Sequence, residues 1–187
     1  MLQFSADETY ALFNSPANRK TIDELYASDA ETFIFPELEA QPMLSETLDD
    51  ALLNLETFDW LIFPDVFTVD HVISRMHSIG VELFQIDNLS VCALGESVAD
   101  RLRFSQLHAD VITHRADPFS ALDEIKNYLG STEQLAGLRV LSFHESETQD
   151  RCAHVLSDNG AECDSLPVYS LAISEPELVP RFKALLK

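Results

Sequence analysis

Short blocks of consecutive apolar residues alternate along this chain with longer stretches in which apolar residues return every third or fourth position. The first block, Tyr10-Ala11-Leu12-Phe13, predicts a strand ended by Asn14-Ser15-Pro16, and a helical run follows over residues 19–27. Thr32-Phe33-Ile34-Phe35 predicts a second strand. Pro36 and Pro42 then bracket an extended connector, because proline excludes helix before itself and donates no backbone hydrogen bond. Residues 45–55 form an acidic amphipathic helix with Leu48, Ala51, Leu52 and Leu55 on one face.

From there the pattern becomes regular. A strand over residues 58–63 leads to a helix over 66–78 that Gly80 is placed to end. A strand over 90–94 leads through Gly95 into a helix reaching Phe104, and one over 109–113 leads to Asp117-Pro118, a cap followed by a first-turn proline, and a helix to Leu129. A strand over 138–142 precedes Ser146-Glu147-Thr148-Gln149, a capping-box pattern, and a helix to Asp158 that Asn159-Gly160 stops. Val168-Tyr169-Ser170-Leu171 is extended, and residues 177–187 suit a last short helix. Parallel strands need crossovers and helices make them, so the alternation predicts an α/β fold with a flavodoxin-like doubly wound parallel sheet over residues 36–168. Ligands in such sheets bind beyond the carboxyl ends of the strands, which singles out the loops 64–68, 95–98, 114–118 and 143–147.

Composition narrows the class. With 187 residues and 46% hydrophobic content the chain can bury a sizeable core, as a cytoplasmic globular protein. No apolar run approaches the roughly 20 residues of a membrane helix, and the first residues lack the basic start and apolar centre of a signal peptide. Cys92, Cys152 and Cys163 form no CxxC pair and read as reduced thiols, small hydrophobes of the core. The 32 acidic residues outnumber the 12 basic ones, and the formal charge of -20 repels nucleic acid and anionic membranes, so neither is expected as a partner. Acidic residues spread over every helix make a solvated surface.

Several chemistries lack their residues. A dinucleotide site needs a glycine-rich turn and a phosphate loop needs GxxxxGK[ST]; the chain has 5 glycines and neither pattern. The six histidines never form HxxxH or HExxH, so a zinc site has no local scaffold and no metal is expected. No GxSxG elbow is present. No cofactor is implied.

Four segments, in order, carry a family resemblance: the strand over 58–63; Leu94-Gly95-Glu96-Ser97-Val98-Ala99; Leu135-Ala136-Gly137-Leu138-Arg139-Val140-Leu141; and the stretch from Gly160-Ala161 to Val168-Tyr169. Together they resemble uroporphyrinogen-III synthase, the cyclising enzyme of tetrapyrrole synthesis. The resemblance implies two α/β domains joined by a two-stranded connector, with the linear tetrapyrrole hydroxymethylbilane held between them. Residues 1–35 and 171–187 would be an incomplete first domain and residues 36–170 the inserted second one. Most of the first domain's later strands and helices would lie beyond Lys187, as in a truncated piece or a naturally shortened relative. Such a chain is expected to be a monomer or a weak homodimer.

By the same resemblance Tyr169 is the candidate catalytic residue, a phenol able to donate a proton as the substrate loses its terminal hydroxyl. The alternative for Tyr169 is a plain strand aromatic in the connector. Gly95, Glu96 and Ser97 are candidate substrate-binding residues through their backbone amides. Other loops depart from the family. Pro64-Asp65-Val66-Phe67 stands where Thr-Ser-Pro-Asn is usual, and adds a carboxylate where an anionic propionate would approach. Phe143-His144-Glu145 replaces Pro-Arg-Gly, Ser15-Pro16 replaces Arg-Pro, and Val98 replaces a threonine. Two classes of function therefore stand: a synthase that loses water and inverts the last pyrrole ring on closure, and a catalytically inactive binding or regulatory relative.

Overall fold

The computed structural model describes residues 8–15, 18–28, 30–36 and 38–173, and the helix expected over 177–187 lies outside them. The chain divides into two compact units, one of Met1–Gln41 with Leu171–Lys187 and one of Pro42–Ser170. In the first unit, β1 (Thr9–Phe13), α1 (Arg19–Tyr26) and β2 (Glu31–Phe35) make one strand-helix-strand crossover. The two strands pair in parallel, Thr9 opposite Glu31 and Phe13 opposite Phe35, and α1 buries Ile22 and Leu25.

The second unit holds the doubly wound sheet. Its elements are α2 (Glu46–Leu53), β4 (Trp60–Phe63), α3 (Val66–Ile79), β5 (Ser90–Ala93), α4 (Glu96–Phe104), β6 (Val111–Ile112), α5 (Pro118–Leu129), β7 (Arg139–Glu145), α6 (Arg151–Asp158) and β8 (Glu162–Ile173). The division between the units falls within β3 (Leu38–Pro42), the edge strand next to β8, and within β8 itself. Strands β6-β5-β4-β7-β8 are adjacent in that order and all parallel. A flavodoxin-like order sets the second strand alone on one side of the first. Here β5 and β6 lie on one side of β4 and β7 and β8 on the other, so the winding reverses between β4 and β7.

Burial explains why β4 is an unbroken apolar run. Both faces of a central parallel strand are covered by crossovers, and all of Trp60, Leu61, Ile62 and Phe63 are buried. Trp60 and Ile62 join Cys92, Val140, Ala121, Ile125 and Leu156 in the core beneath α5 and α6. Leu61 and Phe63 point the other way, toward the pair α3 and α4, and Phe63 meets Phe143 at 5.2 Å. Trp60 also meets Tyr128 edge to face at 5.4 Å. Among the described residues, Ser142 Oγ in β7 is buried without a hydrogen-bond partner.

Local cap chemistry sets most helix boundaries. Ser45 accepts from the Leu48 N–H, and Asp117 accepts from Phe119 and Ser120 ahead of Pro118. Gly80 ends α3 at φ 77°, a left-handed conformation that glycine adopts without strain. The capping box expected at Ser146–Gln149 is not formed. Asp150 caps α6 instead, accepting from Ala153 at 2.9 Å, because the groups of the predicted box are engaged elsewhere. The Ser146 N–H donates to the Tyr169 carbonyl and the Glu147 N–H to Glu145 Oε1. Strand β8 is far longer than the extended segment expected at 168–171, and β6 is shorter than the strand expected over 109–113. Cys92 and Cys152 are buried as expected, while Cys163 is only partly covered.

Candidate functional site

The winding reverses between β4 and β7, and at the carboxyl ends of these strands, where doubly wound sheets bind their ligands, the chain places a tyrosine and two carboxylates. Asp65 follows β4 directly and is the N-cap of α3, its Oδ1 accepting from the Thr68 N–H at 2.8 Å. Its other oxygen, Oδ2, accepts the Tyr169 hydroxyl at 3.1 Å, joining positions 104 residues apart. Tyr169 lies on β8 opposite Glu145, just past a register shift between His144 and Glu145 that advances the pairing by one residue. Without that irregularity Val168 would stand opposite Glu145, and the alternation of a strand would turn the tyrosine to the other face.

The tyrosine is enclosed on three sides. The Phe67 ring leans over it at 5.6 Å and the His71 ring stacks on it at 5.7 Å, both from the first turns of α3. Glu145 is buried at the end of β7, where its Oε1 accepts from the Glu147 N–H at 2.9 Å. The ring of His144 bonds the Glu145 carbonyl at 2.7 Å and so fixes the strand end. Burial pushes the Tyr169 hydroxyl well above its ordinary pKa, and the Asp65 charge, the hydrogen bond to Asp65 and the Glu145 charge all act in the same direction. The phenol therefore holds its proton at neutral pH.

Gly95, Glu96 and Ser97 occupy a different part of the sheet edge. They begin α4 at the end of β5, on the opposite side of β4 from β7 and β8. Gly95 has φ 104°, and among the described residues no side chain accepts from the first N–H groups of this helix. The side chains gathered around Tyr169 are Asp65, Phe67, His71 and Glu145. Of these, Asp65 and Glu145 figure in the sequence only as departures from a familiar pattern, and His71 only as one histidine among six. Phe67 and His71 stand one turn apart on a helix that starts at the sheet's reversal, which is the one local signal that could have paired them. Among the described residues, no three His, Cys, Asp or Glu side chains come together as a metal site requires. None of the helices described is long and apolar enough to cross a membrane.

Fold and site together define a doubly wound α/β protein with a protonated tyrosine at the carboxyl ends of its strands. Comparison with known proteins makes this specific. The family model described as uroporphyrinogen-III synthase HemD matches residues 20–187. No curated protein sequence matches. Among solved structures, a mutant uroporphyrinogen III synthase from the extremely thermophilic bacterium Thermus thermophilus is 14% identical with a TM-score of 0.66, covering 96% of this chain and 69% of that one. The wild-type enzyme of that organism in another crystal form is also 14% identical, with a TM-score of 0.56 and coverages of 96% and 68%. A further Thermus thermophilus structure is 12% identical, with a TM-score of 0.53 over 96% and 69%. The chain belongs to the uroporphyrinogen-III synthase HemD family, and its function is uroporphyrinogen-III synthase-like, acting on a tetrapyrrole substrate in tetrapyrrole biosynthesis.

Proposed function

We propose that this chain cyclises hydroxymethylbilane to uroporphyrinogen III in the cytoplasm, with Tyr169 as the proton donor to the departing hydroxyl. The observation that carries the reading is the Tyr169 O–H held to Asp65 at the strand ends where the sheet reverses. On this reading the C–O bond of the terminal hydroxymethyl group breaks, the phenol proton goes to that oxygen, and water leaves. The electron pair of the adjacent pyrrole nitrogen compensates, leaving a cationic methylene on the end ring. That methylene bonds to the last pyrrole at its already substituted carbon, and the bond from this carbon to the neighbouring bridging methylene then breaks. The cationic methylene so released bonds to the ring's free carbon, which sheds a proton as the inverted ring regains aromaticity, and that proton restores the phenol.

The two carboxylates suit the cation better than they suit the substrate's own carboxylates. Asp65 and Glu145 flank the place where positive charge develops, in surroundings that burial makes less polar than water. One oxygen of Asp65 serves the amino end of α3 and the other serves Tyr169, so the carboxylate that sequence alone presents as a repulsive group is already bound from two sides. To accept the proton, the substrate oxygen takes the position that Asp65 Oδ2 now holds against the phenol. Gly95, Glu96 and Ser97 would supply backbone N–H groups to a substrate carboxylate further along the edge. We read the Pro42–Ser170 unit as the family's second domain, and the unit built from both chain ends as part of its first.

The test mixes the purified chain with freshly generated hydroxymethylbilane and separates the type III isomer from the type I isomer that forms spontaneously. Type III should dominate, and Tyr169→Phe should slow its formation by about a hundredfold or more. An isomer ratio equal to that of the protein-free control would overturn the proposal and favour the binding relative.

A further inference from the structure

We propose that the groove between α3 and the Met43–Leu44 segment is a specificity-determining subsite that holds one pyrrole ring of the substrate by its carboxylate side chain. The inference rests on the tetrapyrrole reading of the Tyr169 site. The groove encloses about 410 Å³ and its two walls differ in chemistry. Met43, Leu44 and Val168 make one wall apolar. The other is formed by His71, Ser74, Arg75 and Ser78, which α3 presents along one face at helical spacing. No carboxylate lines it, although 32 of the 187 residues are acidic. In a chain of charge -20, a groove edged by N–H and O–H donors is an exception, and its polarity complements an anion beside a flat apolar ring.

The polar wall has donors to give. Arg75 is held in place by Asp49, its Nε donating to Oδ1 at 2.6 Å and a terminal nitrogen to Oδ2 at 2.5 Å, while its other terminal nitrogen meets Ser78 Oγ at 3.3 Å. That fork is fixed in orientation and keeps further N–H groups for a ligand. The His71 ring nitrogens carry no hydrogen bond among the described residues, because the ring's contact is through its face, stacked on Tyr169. His71 thus stacks on the Tyr169 ring and also lines the groove. A ring anchored there by its carboxylate lies beside the His71 ring that stacks on Tyr169, and through that contact the groove would select which ring of the chain meets the tyrosine.

Two measurements on the full chain test this. In the first, pyrrole-3-propionate and its amide are titrated while the His71 ring and Met43 methyl resonances are followed. The propionate should shift both and the amide neither. In the second, type III formation is followed for His71→Phe, which keeps a ring against Tyr169 but removes the N–H donors, and for Leu44→Glu, which sets a carboxylate on the exposed apolar wall. Loss of one hydrogen bond to a charged group corresponds to about a tenfold weakening, so KM should rise about tenfold in His71→Phe with kcat little changed. Leu44→Glu should raise KM by an amount that added salt reduces. Resonances unmoved by the propionate, or a His71→Phe variant that loses kcat at constant KM, would overturn the subsite. Failure of the underlying reading looks different: propionate would still bind the groove while the wild-type chain yields no excess of type III isomer.

Discussion

Asp65 joins a helix cap to the site tyrosine, and the two contributions can be separated by substitution. Removing the carboxylate in Asp65→Ala deletes the bond to the Thr68 N–H, a cap worth about 1 kcal/mol. It also leaves the Tyr169 hydroxyl without its acceptor at 5% residue exposure, which costs about another 1 kcal/mol, the low end of the range because some water reaches the group. The total is about 2 kcal/mol. Asp65→Ser keeps a cap oxygen but does not reach the phenol, and should cost about 1 kcal/mol. Tyr169→Phe should likewise cost about 1 kcal/mol in the wild-type background and almost nothing in Asp65→Ala, a coupling of about 1 kcal/mol between the pair. Urea unfolding followed by tryptophan fluorescence reads the relevant unit, because Trp60 is the single tryptophan and is buried in β4. With a urea slope of roughly 2 kcal/mol per molar, the Asp65→Ala midpoint should fall by about 1 M. Equal losses for Asp65→Ala and Asp65→Ser would refute the cap. A Tyr169→Phe effect of full size in Asp65→Ala would refute the bond between the two side chains.

Further outcomes follow from burial and backbone geometry. Burial raises the pKa of Cys92, of Cys152 to about 12, of Cys163 and of Tyr169, so the folded chain retains protons that unfolded thiols and phenols release from about 9 and 10 upward. Stability is therefore complete below about pH 9 and lost as the pH climbs toward the folded values; unfolding midpoints under reducing conditions should drop steadily from pH 9 to pH 11, and a flat profile would contradict this. Gly95→Ala meets no atom within 4 Å, yet its φ of 104° is strained for any side chain, so the urea midpoint should report a loss of about 1–3 kcal/mol. Ser142→Ala removes a buried hydroxyl that has no partner among the described residues and should leave stability unchanged or raise it by about 1 kcal/mol, whereas a clear loss would mean that Oγ is bonded in solution.

What the sequence made legible was chemistry confined to a few neighbouring residues. Gly80 ending α3 and Asp117-Pro118 opening α5 are visible because cap, proline and left-handed glycine act within one turn. The Ser146–Gln149 box satisfied the same local rule and still failed, since Tyr169 and Glu145, brought in by strand pairing, took the groups it needed. Strand β8 is longer than its local sequence suggests for a related reason. Its first residues, Glu162-Cys163-Asp164-Ser165, carry little strand character, and parallel pairing with β7 from Arg139 onward imposes the conformation. Tyr169 became a candidate through family resemblance. Asp65 looked like a defect there, because a partner 104 positions away leaves no trace in a local pattern. The groove beside His71 was equally hidden, since its apolar wall comes from residues around Met43 and from β8.

The central position of β4 also bears on how the protein is made. Its neighbours are β5, which follows soon, and β7, whose Arg139 N–H donates across 80 positions to Oδ2 of Asp59, the residue just before β4, at 2.8 Å. A chain emerging from the ribosome presents Trp60-Leu61-Ile62-Phe63 with one edge unpaired until Glu145 is out, a long wait for a strand with no polar face. None of the pairings among β4 to β8 is a hairpin that could cover that edge early. Nascent copies close together on one message would share that exposed edge. Chains of formal charge -20 repel one another, which opposes pairing through that edge.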